Sequence, residues 1–306
     1  MEKLSYEFEY LLAAAGTGLA QRLSPAAADR FAVTLGDTVH AVWTTRREIA
    51  RENLRQALGP RMAEPLIRAT VKRVFENMAR SFIEVSRFER LGPDGARAII
   101  VGDGLAHIEQ ARAKGRGCVF ITAHYGNWEL LGNWPALMGH PTVLLVGVQH
   151  NPKIHALFNR FRQTLGITTI ETGVAARGVL RALRENKVVG IAGDQHSHTG
   201  LRISFFGRPA TASRGPALFA LKAGAPLLPY MMRRESYDRH VITAGEPIYP
   251  PGGGDEEKDA DEMTLRLHRF YEAEIRKYPD QWMWTHRRWK AAEGEEKAAT
   301  FREHMQ

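Results

Sequence analysis

The segment Thr122-Ala-His-Tyr-Gly-Asn-Trp-Glu129 holds residues whose types and spacing suit proton transfer, with four residues separating His124 from Glu129. A carboxylate near an imidazole fixes its tautomer and stabilises the imidazolium formed when the ring takes a proton, so the pair reads as a general base with its orienting acid. On an ideal helix five positions subtend about 140°, so the two would not share a face. His124 is therefore expected at or before a helix N-terminus, with Glu129 reaching back from the first turns and Gly126 allowing the tight entry. Charge that develops on a carbonyl oxygen needs donors. The first N–H groups of that helix and the Asn127 side chain are candidates. The chemistry implied is transfer of a group onto a hydroxyl or amine.

The elements that must position these residues follow from the hydropathy pattern. Residues 2–90 read as helices, among them 26–57 and 64–88, the latter with Leu66, Ile67, Val71, Val74, Phe75, Met78, Phe82 and Val85 near helical spacing. From about residue 97 the pattern alternates. Strands are expected at 98–102, 117–123, 142–148, 167–170, 188–192, 226–232 and 240–244, with helices between the earlier ones and at 213–223. The fold class is α/β: a mostly parallel central sheet flanked by helices, with an N-terminal helical preface. In such sheets ligands gather at the carboxyl ends of the strands. Polar clusters there are His124, then Gln149-His-Asn151, then Asp194-Gln195. Pro250-Pro-Gly-Gly-Gly254 and the charged run 255–261 are expected as a surface loop, followed by a helix over 261–277. The expected divisions are an N-terminal helical region over 1–95, an α/β core over 96–290 and a polar tail over 291–306.

Composition narrows the classes. The 306 residues are 44% hydrophobic, which suits a globular chain, and carry a net charge of +8, which favours polyanionic partners. The single cysteine, Cys118, excludes an internal disulfide and reads as a buried strand residue. The opening Met-Glu-Lys, with Glu7 and Glu9 where an apolar core belongs, does not read as a cleavable signal peptide. The longest uncharged run, 130–152, is interrupted by Pro135, Gly139 and Pro141 and reads as helix, turn and buried strand rather than a membrane span. The segment 11–19 suits either a membrane surface or packing on the main domain.

Five stretches in order resemble the bacterial late lipid A acyltransferases and their phosphatidylinositol mannoside acyltransferase relatives, within the lysophospholipid acyltransferase superfamily. They are Ala50-Arg-Glu-Asn-Leu54; Thr122 to Glu129; Gln149-His-Asn-Pro152 with Asn159 and Arg162; Gly193-Asp-Gln195 with Phe205-Phe-Gly-Arg-Pro-Ala210; and Gln281-Trp-Met-Trp-Thr-His-Arg-Arg-Trp-Lys290. The resemblance implies that His124 deprotonates an acceptor hydroxyl, that Glu129 orients it, and that the hydroxyl attacks the thioester of an acyl carrier protein or coenzyme A. It implies substrate contacts from Arg162, to phosphate or sugar oxygens, and from Asp194, to the acceptor or to Arg162. Gln195 stands beside Asp194 as a further substrate contact, and Arg208, in Phe-Phe-Gly-Arg-Pro, reads either as a phosphate contact or as a loop-stabilising residue. It also implies a lipid acceptor, an anionic membrane surface at the cytoplasmic face of the inner membrane held peripherally or monotopically, and no bound cofactor or metal. Two places depart from the family pattern. His196 stands where a second Asp is usual, and the N-terminal apolar anchor is shortened.

Other readings are weaker. His196 and His198 near Asp194 match no zinc spacing and are expected as loop histidines. Trp282, Trp284 and Trp289 beside Arg287 and Arg288 suit either an interfacial anchor or a core with a basic rim. No nucleic-acid-binding signature accompanies the basic charge. A serine hydrolase lacks its Gly-X-Ser-X-Gly elbow here. A hydrolase using the same His-Glu pair on water, and a non-catalytic module for anionic membranes, remain the alternatives to acyl transfer.

Overall fold

The computed structural model describes residues 2–172 and 175–289. Five helices come first: α1 (Glu2–Arg22), α2 (Pro25–Val42), α3 (Thr44–Leu58), α4 (Glu64–Ser86) and α5 (Phe88–Ala98). The alternating part follows as β1 (Ile100–Gly102), α6 (Leu105–Ala113), β2 (Cys118–Thr122), α7 (Trp128–Leu137), β3 (Thr142–Val146), α8 (Pro152–Thr164), β4 (Thr168–Glu171), α9 (Ala175–Arg184) and β5 (Val188–Ala192). A hairpin of β6 (Leu201–Phe205) and β7 (Arg208–Ala212) precedes α10 (Gly215–Ala223), β8 (Leu227–Ser236), β9 (Arg239–Ala244) and α11 (Glu256–Lys277).

Seven strands form one sheet in the order β1-β9-β8-β2-β5-β3-β4. All neighbours are parallel except β8 and β9, which form an antiparallel hairpin. The α/β class, the parallel sheet and the helical preface are as the sequence pattern implies. β2 is buried at all five positions, because strands covered by helices on both faces read as continuous apolar runs. Cys118 is among them, with its thiol pushed up to about 12 by burial.

The preface is not a separate layer. Ala50 and Leu54 of α3, and Ile67, Val71, Val74 and Phe75 of α4, share one apolar core with Val119 and Ile121 of β2 and with Trp282, Trp284 and Trp289. α2 crosses α4 so closely at Gly36 that a Cβ there would lie 2.6 Å from Glu76 Cα, which is why a residue without a side chain is needed.

Two expectations are corrected. The helix expected over 26–57 is two, broken at Trp43 (φ −89°, ψ 62°), and the Arg47 guanidinium stabilises the break by donating to the orphan carbonyls of His40 at 2.8 Å and Ala41 at 3.1 Å. The charged run over 255–261 is no loop: Asp255 accepts from Lys258 N–H as the N-cap of α11, and Glu256, Glu257 and Asp259 lie in its first turn, where negative charge is stabilised by the positive end of the helix dipole. The β6–β7 hairpin was not foreseen. Its two-residue turn puts both Phe206 (φ 56°) and Gly207 (φ 75°) in the left-handed region, an uncommon place for an aromatic residue. The tail over 291–306 lies outside the described residues.

Candidate active site

The site is built by strand register. β2 and β5 pair in parallel with Thr122 opposite Ala192. Two residues beyond each strand end stand His124 and Asp194, so the two side chains emerge together at the carboxyl edge of the sheet. His124 Nδ1 lies 2.7 Å from Asp194 Oδ1, and the His124 main-chain N–H donates to Asp194 Oδ2 at 3.0 Å. Trp282 Nε1–H donates to the same Oδ2 at 2.7 Å. A carboxylate can only accept, so Nδ1 carries the imidazole proton and Nε2 is left with its lone pair. Nε2 has no hydrogen-bond partner among the described residues, and the side chain is 20% exposed while that of Asp194 is 4% exposed.

The electrostatics follow. Burial opposes charging the His124 ring, but the Asp194 charge and hydrogen bond, with a further contribution from the charge of Glu129, raise its pKa above the usual histidine value. Burial likewise opposes ionising Asp194. The charge and hydrogen bonds of His124, with the donor from Trp282, hold its carboxyl well below the usual range.

Glu129 is therefore not the orienting acid; that assignment is corrected. It sits on α7 and accepts from Arg162 Nε at 2.9 Å and Nη2 at 2.6 Å, a bidentate pair nearly closed to solvent. Arg162, on α8, also donates to Asn159 Oδ1 at 3.0 Å. Three of its five N–H donors are thus taken by protein partners. Asn127 is corrected too. It is fully buried, its Oδ1 accepts from Leu130 N–H at 2.9 Å as the N-cap of α7, and its Nδ2 donates to Glu84 at 2.6 Å. Neither end of that amide faces a substrate. Asp194, expected against the acceptor or Arg162, belongs to His124. Gln195 follows on the exposed loop, and half-buried Arg208 opens β7 opposite Phe205.

The remaining polar cluster, after β3, is taken up by packing. Asn151 caps α8 and donates to Tyr6 O and Glu9 Oε2, each at 3.0 Å, and His150 Nε2 lies 2.8 Å from Tyr6 Oη. These contacts lay α1 across the carboxyl edge. His196 Nδ1 lies 2.8 Å from Thr211 Oγ1, with its ring edge-on to His198. Among the described residues no group of three or more His, Cys, Asp or Glu is placed to hold a metal ion.

The residue that sequence reasoning missed is Trp282. It and Trp284 and Trp289 are core residues, at most 2% exposed, packed on Phe205 and Phe206. Arg288 is no rim cation. It is buried, donates to Thr211 O at 2.6 Å, stacks over Phe205, and burial pulls its pKa down to about 10. The segment of Trp282 to Trp289 is strapped onto the site from both sides. Met283 N–H donates to His124 O at 3.0 Å, and Asn53 Nδ2 donates to Trp284 O at 2.7 Å and His286 O at 2.8 Å. The stretch around Ala50 to Leu54 thus earns its place as a clamp on that strap.

Fold and site define an α/β protein with a carboxylate-held histidine at the carboxyl edge of its parallel sheet. The chain belongs to the bacterial lipid A biosynthesis acyltransferase family, whose sequence model matches residues 1–291. It is 31% identical over 194 residues to the phosphatidylinositol mannoside acyltransferase of Mycobacterium tuberculosis (strain ATCC 25618 / H37Rv), and the match spans 60% of each chain's length. It is 25% identical over 265 residues to the Mycolicibacterium smegmatis protein of the same name, covering 82% of each. It is 26% identical over 272 residues to the lipid A biosynthesis lauroyltransferase of Escherichia coli (strain K12), covering 85% of this chain and 84% of that one.

Proposed function

We propose that this chain is an acyltransferase that moves a fatty acyl chain from the thioester of an acyl carrier protein or coenzyme A to a hydroxyl of a glycolipid or lysophospholipid. The observation that carries the reading is the lone pair of His124 Nε2, opened toward solvent by the fixing of Nδ1–H on Asp194. Nε2 takes the proton of the acceptor hydroxyl as the oxygen attacks the thioester carbonyl, and Asp194 stabilises the imidazolium. Collapse of the tetrahedral intermediate expels the thiolate, which receives the proton back from Nε2. The oxyanion is met by the main-chain N–H groups of Trp128 and Glu129. The N–H groups of a helix's first turn lack internal partners; that of Leu130 is taken by Asn127 Oδ1, and the first internal bond runs from Leu131 N–H to Asn127 O. Gln195 and Arg208 are proposed to meet the acceptor head group.

The lipid acceptor places the reaction at a membrane surface, which we propose to be the cytoplasmic face of the inner membrane. Among the described residues no helix is long and apolar enough to cross a membrane. On α1, however, Phe8, Leu11, Leu12, Ala15 and Leu19 are exposed and fall on one face at helical spacing, opposite buried Thr17 and Ala20. With the net charge of +8, that stripe supports peripheral attachment to anionic lipid.

The test is incubation of the purified chain with acyl thioester and a glycolipid acceptor in mixed micelles, read by mass spectrometry. Acylated acceptor with wild-type chain and none with His124→Ala is the expected result. Free fatty acid with no acylated acceptor would make it a hydrolase. Vesicle binding with no turnover of any thioester would make it a binding module.

A further inference from the structure

Beneath the His124 turn lies a second set of buried polar side chains, which the proton transfer does not use. Arg234 on β8 is 6% exposed. Its Nε and Nη2 donate to the two oxygens of Glu84 on α4 at 2.7 and 2.6 Å, its Nη1 to Asn77 Oδ1 at 3.1 Å, and its Nη2 also to Ser81 Oγ at 3.0 Å. Glu84 Oε2 accepts from Asn127 Nδ2 as well. The Ser81 hydroxyl lies 2.8 Å from Gly126 O. Gly126 N–H donates to Gln281 O at 2.8 Å, and the Gln281 side chain accepts from Arg234 N–H at 3.1 Å. Both main-chain groups of Gly126 and both ends of the Asn127 amide are therefore held, and three of these four groups lead back to Glu84 and Arg234. Buried His240 completes the surroundings, with Nε2 3.8 Å from Glu84 Oε1.

We propose that the Glu84–Arg234 pair is a positioning device for the proposed base. It fixes the path of Gly126 and Asn127 so that the main-chain N–H and Nδ1 of His124 meet the two oxygens of Asp194. The turn needs such restraint. Gly126 is in the left-handed region (φ 54°) and lies so close to β8 that a Cβ would stand 1.9 Å from Met232 O, and because glycine reaches many other backbone conformations equally freely, its own preference does not hold it in this one. An apolar plug would fill the space, but it would not fix direction as bidentate, charge-assisted bonds do. Because α4 supplies Asn77, Ser81 and Glu84, the N-terminal helices set the geometry of a site made by the sheet.

This inference rests on the acyl-transfer reading for its kinetic measurement but not for its spectroscopic one. Ser81→Ala removes one hydroxyl and leaves the ion pair; Glu84→Gln removes the charge. Each is expected to lower kcat by about 10- to 100-fold, since a misplacement of about 1 Å at a catalytic group has effects of this order. KM is expected to stay within about twofold, because the substrate contacts are untouched. The downfield proton NMR signal of His124 Nδ1–H, assigned by its loss in His124→Ala, is expected to broaden in both variants. Ser81→Thr, which keeps the hydroxyl, is expected to restore both readings. Ser236→Ala, which removes an exposed hydroxyl bonded to Asp238 on the same hairpin, should change neither. The idea is overturned if Ser81→Ala folds with wild-type kcat and an unaltered signal, or if only thermal stability falls. Ser81→Ala keeps the test open should Glu84→Gln not fold. If wild-type chain transfers no acyl group, the acyl-transfer reading fails, and the NMR signal still decides the positioning.

Discussion

With Nδ1–H committed to Asp194, the reactivity of His124 rests on the Nε2 lone pair. His124→Ala is expected to lower kcat by about 10²- to 10⁴-fold, the usual range for a positioned base, with an unchanged circular dichroism spectrum. Asp194→Asn keeps the shape but can donate to the ring, which favours the tautomer with its proton on Nε2, so a loss of similar size is expected. The pH dependence has a definite sign. The proposed base acts neutral, and the pKa of His124 is raised by Asp194. For wild-type chain kcat/KM should therefore rise with pH through a midpoint above the usual histidine value. In the residual activity of Asp194→Asn that midpoint should move to lower pH, because the charge that stabilises the imidazolium is gone; a midpoint that stays in place would remove Asp194 from the titration. Glu129 calls for a different measurement. Glu129→Ala leaves the Arg162 guanidinium buried without its counter-charge, and urea unfolding should report a loss of about 3–5 kcal/mol. Asn127, by contrast, reads in the sequence as a polar residue near a helix start that could donate to a developing oxyanion. Its capping role follows from position, but its bond to Glu84 depends on a chain crossing that no local pattern encodes.

At the scale of elements, the turn from β2 to α7 carries the argument. Gly126→Ala combines an unfavourable backbone region with an overlap against Met232 O. The strained φ alone is worth about 1–3 kcal/mol, so a lowered melting temperature and loss of turnover are expected together. The sequence made β2 and β5 visible as apolar runs and put their polar ends at the same edge. It did not make visible that they are neighbours in register, and proximity along the chain favoured Glu129 over Asp194 as the partner of His124. Only the pairing of Thr122 with Ala192 brings Asp194 alongside. The β6–β7 hairpin was hidden for another reason. Its turn residue Phe206 has φ 56°, where turn chemistry leads one to look for Asn, Asp or Gly. The start of α11 was hidden because the same acidic residues that favour a helix N-terminus also suit a solvated loop.

For the molecule as a whole, the apolar stripe on α1 makes a prediction about location. Phe8→Asp with Leu12→Asp places negative charge on the exposed face and should abolish co-sedimentation with vesicles of anionic phospholipid, while leaving turnover of a detergent-dispersed acceptor intact. Unchanged sedimentation would move the attachment surface elsewhere. The helical preface, the sheet and the tryptophan segment share one core, so none of the three is expected to fold to its native form alone. That has a consequence in the order of synthesis. A chain growing on the ribosome carries His124 and Asp194 long before Trp282 has been made, and the donor that Trp282 brings to Asp194 arrives only with the closing strap. A nascent chain can thus display both members of the pair without the contact that completes them, and competence comes with the last segment to dock rather than with the histidine.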